Sequence, residues 1–201
     1  MHTPVLLHEV IEYLNLTPEK QIVDATLDGG GHTRAILEQF PGIRVLGIEF
    51  DPVEVKVFKA TYPDLPVKVV NDSYANLKTI VEQYQFSPDA ILFDLGVSSW
   101  HYESSKRGFS FQYSEPLDMR FNPNVQQLTA TQVVNTWTKE QLGEILKELG
   151  EEQFADSIAD KITQVRREKP IITTDELVTV IESTVPEWYK HRKIHPATKT
   201  F

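Results

Sequence analysis

The stretch from Ile22 to Thr33, IVDATLDGGGHT, restricts the fold more than any other part of the chain. Ile22 and Val23 are β-branched and apolar, as a buried strand requires. Asp24 stands where that strand ends. Gly29, Gly30 and Gly31 follow in a row and let the backbone turn tightly and approach a ligand that any Cβ would block. His32 and Thr33 then open a helical pattern continued by Ala35, Ile36 and Leu37. A strand, a glycine turn and a helix N-terminus in succession make a nucleotide-type crevice.

The surrounding sequence repeats the alternation. Residues 4–14 carry Leu6, Leu7, Val10, Ile11 and Leu14 at helical spacing. The first strand is predicted over about 21–27, with a helix behind the glycines to about Phe40. A second strand, RVLGIEFD, ends in Glu49 and Asp51, and Pro52 suits the first turn of the next helix, to about Ala60. A third strand is predicted over Val67–Val70, and a helix follows the Asn71-Asp72-Ser73 cap to about Gln85. The fourth, DAILFDLGV, is nearly all apolar, as in a strand buried on both faces. This order implies a parallel sheet with right-handed crossovers.

After Val97 the alternation stops. Residues 98–128 are polar, aromatic and rich in turn formers. A helical subdomain over 129–190 follows, with capping boxes at Thr138/Gln141 and Thr173/Glu176. The organisation expected is a sheet half-domain over 1–100 and a loop-plus-helix subdomain over 101–201. A four-stranded parallel half-sheet rarely ends a domain, so either the sheet is unusually small or the chain is a fragment.

Charge narrows the function classes. The net charge is −9, which argues against a generic nucleic-acid binder. Its distribution is uneven: residues 161–201 have a balance of +3 and the first 160 a balance of −12. Lys106, Arg107, Arg120, Arg166-Arg167 and the run Lys190-His191-Arg192-Lys193 are candidate phosphate contacts, with ordinary solvated faces as the alternative. The chain has no cysteine, which excludes disulfides and thiolate metal sites and suits a reducing cytoplasm. No signal peptide or membrane span is expected, and neither is a metal site, because no His/Asp/Glu group has ligand spacing.

Glu49 lies about 20 residues past the glycine turn, where an acid hydrogen-bonds ribose hydroxyls in Rossmann-like units. The dinucleotide fingerprint needs a third glycine, and Arg34 stands there instead. A nicotinamide-dependent oxidoreductase is thereby disfavoured, and S-adenosylmethionine (AdoMet) becomes the alternative ligand. AdoMet has no pyrophosphate, and its sulfonium and amino groups suit acidic strand ends. Asp94, at the end of the fourth strand, lies at the carboxyl edge where open α/β sheets bind ligands. Its carboxylate could accept from the N–H groups of an exocyclic amine and aim the nitrogen lone pair at a methyl group, or merely cap a turn. Phe109, Phe111, Tyr113 and Met119 are candidates for stacking on an extruded base, or for packing the loop down.

Several stretches, in order, are distinctive: HTPVLLHEV (2–10), VDATLDGGGHT (23–33), GIEFD (47–51), ILFDLGVSS (91–99), RGFSF (107–111), PLDMRF (116–121), GEE (150–152), PIITTDEL (170–177) and HPATKTF (195–201). On these the chain resembles the small-subunit ribosomal RNA (cytosine-N4)-methyltransferases of the MraW/RsmH type. The resemblance implies a class I, Rossmann-like AdoMet-dependent fold, a parallel sheet with an inserted helical subdomain. It implies methylation of the exocyclic N4 amine of a decoding-site cytosine, with the small ribosomal subunit as partner, in the cytoplasm. It places the AdoMet contacts at Gly31, His32, Thr33, Glu49, Tyr74, Asp94 and His101, with Asp94 also catalytic. Asp28 stands for a usual glycine, Glu49 for an aspartate and Trp100-His101 for Pro-Gln. The family continues past HPATKTF, so the chain is expected to be truncated, with sheet strands missing. A non-catalytic RNA- or ribosome-binding remnant is the alternative.

Overall fold

The computed structural model describes residues 4–201, which divide into two compact units between Ser98 and Ser99. The division falls two residues before the expected boundary.

The first unit is built as α1 (Leu7–Leu14), β1 (Gln21–Asp24), α2 (Gly31–Gln39), β2 (Arg44–Glu49), α3 (Pro52–Thr61), β3 (Val67–Asn71), α4 (Leu77–Gln83) and β4 (Ala90–Leu92). A short 3₁₀ turn, Tyr74–Asn76, precedes α4 and is capped by Ser73. The strands pair in the order β3-β2-β1-β4, all parallel. Successive strand residues point to opposite faces, so the sheet has two cores. Ile22 and Val45 pack with Leu16, Ile36 and Leu92 on one side. Val23, Leu46 and Ile48 pack with Ile80 and Phe86 on the other. Asp51 caps α3 by accepting from the Val53 N–H at 2.8 Å, with Pro52 in the first turn. The strand order reverses between β1 and β4, and such a switch point opens a crevice at the carboxyl ends of the strands.

Two strand expectations are corrected. β1 stops at Asp24, because residues 25–30 turn away towards α2. β4 is only Ala90–Leu92, and it is not buried on both faces: Ile91 and Phe93 are 42% and 45% exposed. It pairs with β1 alone among the described residues, so its outer edge lacks the cover that a central strand enjoys.

The second unit contains α5 (Ser99–Glu103), α6 (Ala130–Thr136), α7 (Lys139–Glu148), α8 (Ala155–Val165), α9 (Thr174–Thr184), α10 (Glu187–Lys190) and a 3₁₀ turn at Pro196–Lys199. Both expected capping boxes form, and a third forms at Thr129/Gln132. The inward stripes meet in one core around Leu142, Ile158, Ile162 and Ile181. The turn-rich loop before α6 is tied down. Leu117 N–H donates to the Ile172 carbonyl at 3.0 Å, Glu115 N–H donates to the Thr174 hydroxyl at 3.0 Å, and the Leu117 side chain is fully buried. Leu117→Ala therefore costs about 2–5 kcal/mol, as for other buried leucines. Urea unfolding of the variant should show a lower midpoint.

Candidate functional site

The site is built at the carboxyl ends of β1, β2 and β4. Asp24 closes β1 and is buried. It accepts the Thr33 hydroxyl at 2.6 Å and the Thr26 N–H at 3.3 Å. Burial pushes its pKa above the usual carboxylate range, against the opposing pull of those hydrogen bonds. Thr26 in turn accepts the Asp94 main-chain N–H at 2.7 Å, which fixes the backbone beyond β4. The Asp94 carboxylate is 39% exposed and stands 3.8 Å from Nδ1 of His32. His32 is buried at the start of α2, and its Nε2 lies 3.0 Å from the Val5 carbonyl. The β1–α2 and β4 ends are thus joined through Asp24, Thr26, Thr33, His32 and Asp94.

Glu49 ends β2 and is buried. Its carboxylate accepts the Asp28 N–H at 2.9 Å and the Asp51 N–H at 2.7 Å, so it holds the glycine turn to the β2–α3 turn. Asp28 has a left-handed backbone, φ 44°. Burial, then the charges of Glu49, Glu54 and Asp24, push its carboxyl up to about 8, and its side chain also hydrogen-bonds to Glu49. One proton shared within this carboxylate group relieves the repulsion. A carboxyl whose folded value lies above its unfolded one loses stability as pH rises. The loss runs from about pH 4 to about pH 8, at up to ~1.4 kcal/mol per pH unit. Asp28→Asn tolerates the left-handed backbone and should flatten that fall. Calorimetric melting at pH 5, 6.5 and 8.5 should show the variant gaining on the parent as pH rises; parallel profiles would contradict it.

The glycines divide by what surrounds them. At Gly30, φ is 72° and an added Cβ would lie 2.2 Å from the Phe58 ring. At Gly31 it would lie 2.4 Å from Pro4. At Gly29 the backbone is ordinary and nothing stands within 4 Å of an added Cβ. Neither strain nor packing requires glycine there, which leaves open space at the turn. Gly96, after Asp94, also faces open space. Tyr74 and Phe93, 46% and 45% exposed, meet edge to face with centroids 5.8 Å apart. They present apolar ring surface from the turns after β3 and β4.

Gly31, His32, Thr33, Glu49, Tyr74 and Asp94 all lie in the first unit, at the ends or following turns of its elements. His101 lies in the second. Its ring is fully buried, with centroids 4.9 Å from Phe109 and 4.7 Å from Phe121. The expected cofactor contact at His101 thus falls on a buried ring of the second unit, among aromatic neighbours. Phe109 belongs to the same cluster, Phe111 stacks on His195 at 4.8 Å, and Met119 packs on the helical core. Among the four loop residues weighed for base stacking, only Tyr113 is exposed. Arg34, at the third-glycine position, donates to the Tyr62 hydroxyl at 3.0 Å. Among the described residues no group of three or more His, Asp or Glu is arranged to hold a metal, and no helix is long and apolar enough to cross a membrane.

One contact had no signal in the sequence. Glu54 of α3 is buried and accepts the Ser98 hydroxyl at 2.6 Å, tying the segment after Asp94 to α3. Glu54 looks like any solvated helix acid until the fold brings Ser98 to it.

The model of the MraW methylase family matches residues 1–201. A protein named ribosomal RNA small subunit methyltransferase H from Dehalococcoides mccartyi is 43% identical over all of this chain and 57% of its own length. Proteins of that name from Dictyoglomus thermophilum and Lactobacillus acidophilus are 41% and 37% identical, again over all of this chain, and over 68% and 66% of their own lengths. The chain spans a little over half to about two thirds of these relatives. With a match along every described element, this chain belongs to the MraW methylase family.

Proposed function

We propose that this chain is the cofactor-binding and RNA-recognition part of an AdoMet-dependent methyltransferase. Its substrate is the exocyclic N4 amine of a decoding-site cytosine in small-subunit ribosomal RNA, and its setting is the cytoplasm. The observation that carries the reading is the joining of an open glycine turn at Gly29 to an exposed carboxylate, Asp94, across the sheet's switch point. The printed names of the relatives supply the substrate class.

The residues fit AdoMet. Open space at Gly29 and Gly96 admits the ligand against the backbone, and Tyr74 with Phe93 offers ring surface for an adenine. Asp94 supplies an accessible acceptor at the crevice, and the buried Asp24 carboxylate behind it holds Thr33 and Thr26 in place. Bound AdoMet would supply an electrophilic methyl group. The chain's own part is positioning. Thr26 holds the Asp94 main chain, and the Asp94 carboxylate accepts an N–H of the target amine and turns its lone pair towards the methyl. The amine would turn acidic as it takes the methyl group, whose bond to sulfur breaks in the same step, and its surplus proton would pass to the Asp94 carboxylate or to water. The first unit serves the cofactor and the second the RNA.

The test is incubation of the protein with small ribosomal subunits and methyl-labelled AdoMet, followed by nucleoside mass spectrometry. Labelled N4-methylcytidine is the expected product. Label in another nucleoside, or none from a chain that binds AdoMet, would refute the assignment.

A further inference from the structure

Most of the basic residues that could have met phosphate are used inside the second unit. Arg107 donates to the Arg120 and Phe121 carbonyls at 2.6 and 2.9 Å. Arg120 grips Asp118 with two hydrogen bonds of 2.7 Å. Arg166 donates to the Val134 carbonyl at 2.7 Å. The segment from Trp188 to Lys199 is different. It holds Lys190, Arg192, Lys193 and Lys199 and no acid, within a chain of net charge −9.

This segment surrounds a pocket of about 340 Å³ lined by Tyr189, Arg192, Lys193, Ile194, His195 and Lys199. Its wall is rigid. The Tyr189 ring is buried, and its hydroxyl donates to the buried Glu152 carboxylate at 2.8 Å. The Arg192 guanidinium lies 5.3 Å from the Tyr189 ring centroid and 5.9 Å from that of Trp188, so cation–π attraction holds it at the rim. The nearby acids are already engaged. Glu187 meets Lys190 at 2.6 Å and His191 at 3.8 Å, and Glu182 meets His195 at 3.4 Å. No described carboxylate lies within ion-pair distance of Arg192 or Lys193. Lys199 spends one N–H on the Glu151 carbonyl at 2.8 Å and keeps two. Trp188 is 58% exposed beside them.

Uncompensated cations, an apolar pocket floor and an exposed indole are what a single strand of nucleic acid needs: charges for the backbone and a ring for a base. We propose that this Trp188–Lys199 surface binds single-stranded RNA, with phosphates on Arg192, Lys193 and Lys199 and a base stacked on Trp188. The proposal rests on the RNA-methyltransferase reading and names where the RNA is held.

The test is fluorescence anisotropy of the intact protein with a short labelled single-stranded RNA at several salt concentrations. The double variant Arg192→Gln/Lys193→Gln should bind about tenfold or more weakly. Its plot of log affinity against log salt should be shallower by about 1.4, at roughly 0.7 per phosphate contact. Trp188→Ala should weaken binding roughly tenfold with the slope unchanged. The double variant should keep the parent's melting temperature, and both variants should keep its AdoMet binding. Wild-type affinity and slope in the double variant would overturn the proposal, even if the parent methylates ribosomal RNA. Equal competition by polyglutamate of matched charge would also overturn it, pointing to an acidic protein. RNA binding lost as predicted, in a protein that methylates nothing, would support this surface while removing the enzymatic reading.

Discussion

Asp94→Asn should lower methyl transfer to ribosomal RNA by roughly a hundredfold to a thousandfold, the usual cost of removing one polar group aimed at the reacting centre. The substitution keeps the shape and removes the charge and one acceptor oxygen. The amide keeps one acceptor oxygen but loses the negative charge and puts a donor in place of the other oxygen, so the target amine's N–H is held more weakly. The fold should be little affected. Asp94 is anchored through its main-chain N–H to Thr26, and its side chain is 39% exposed. Melting should therefore stay within about 0.5 kcal/mol of the parent, as for surface substitutions. AdoMet binding should weaken far less than turnover, since the glycine turn, Glu49 and Tyr74 are untouched. Single-turnover kinetics with labelled AdoMet, alongside calorimetry, separates the two effects. Equal losses in binding and turnover would make Asp94 a cofactor contact alone.

The adjacent glycines should respond in opposite ways. Gly30→Ala places a methyl 2.2 Å from the Phe58 ring on a left-handed backbone. Backbone strain of about 1–2 kcal/mol and overpacking of about 1–3 kcal/mol together should destabilise the first unit markedly. Gly29→Ala meets no neighbour within 4 Å and no unusual backbone angle. Its melting temperature should match the parent's, while AdoMet affinity should fall about tenfold or more, an effect of ~1.4 kcal/mol or above. The pairing matters because loss of binding in Gly30→Ala could reflect unfolding, and in Gly29→Ala it could not. A Gly29→Ala protein that binds AdoMet as tightly as the parent would mean that the open space at this turn is not where the cofactor approaches.

The alternation of strands and helices was legible because buried strands and amphipathic helices leave different periods, and the capping boxes marked helix starts that the structure reproduces at Thr138 and Thr173. The lengths of β1 and β4 were not legible. Apolar composition does not say how many residues find a pairing partner, and β4 pairs over only Ala90–Leu92. At the site, the acids were visible but their engagements were not. Glu49 looked like a ribose acceptor, yet its oxygens also hold two main-chain N–H groups, and that depends on how the β1–α2 and β2–α3 turns approach. The surroundings of His101 were not legible either, because a motif position fixes sequence order, not environment. Its imidazole packs against the rings of Phe109 and Phe121. Asp28 was visible as an extra charge at the turn, but its raised pKa depends on burial against Glu49, Glu54 and Asp24.

The central claim is that the crevice between β1, β2 and β4 is an AdoMet site. Isothermal titration of AdoMet into the protein, with cooperative melting confirmed on the same sample, tests it most directly. The account predicts saturable one-to-one binding that NADH does not compete away. A cooperatively folded protein that gives no binding heat with AdoMet at two temperatures, or that binds NADH in its place, would contradict it.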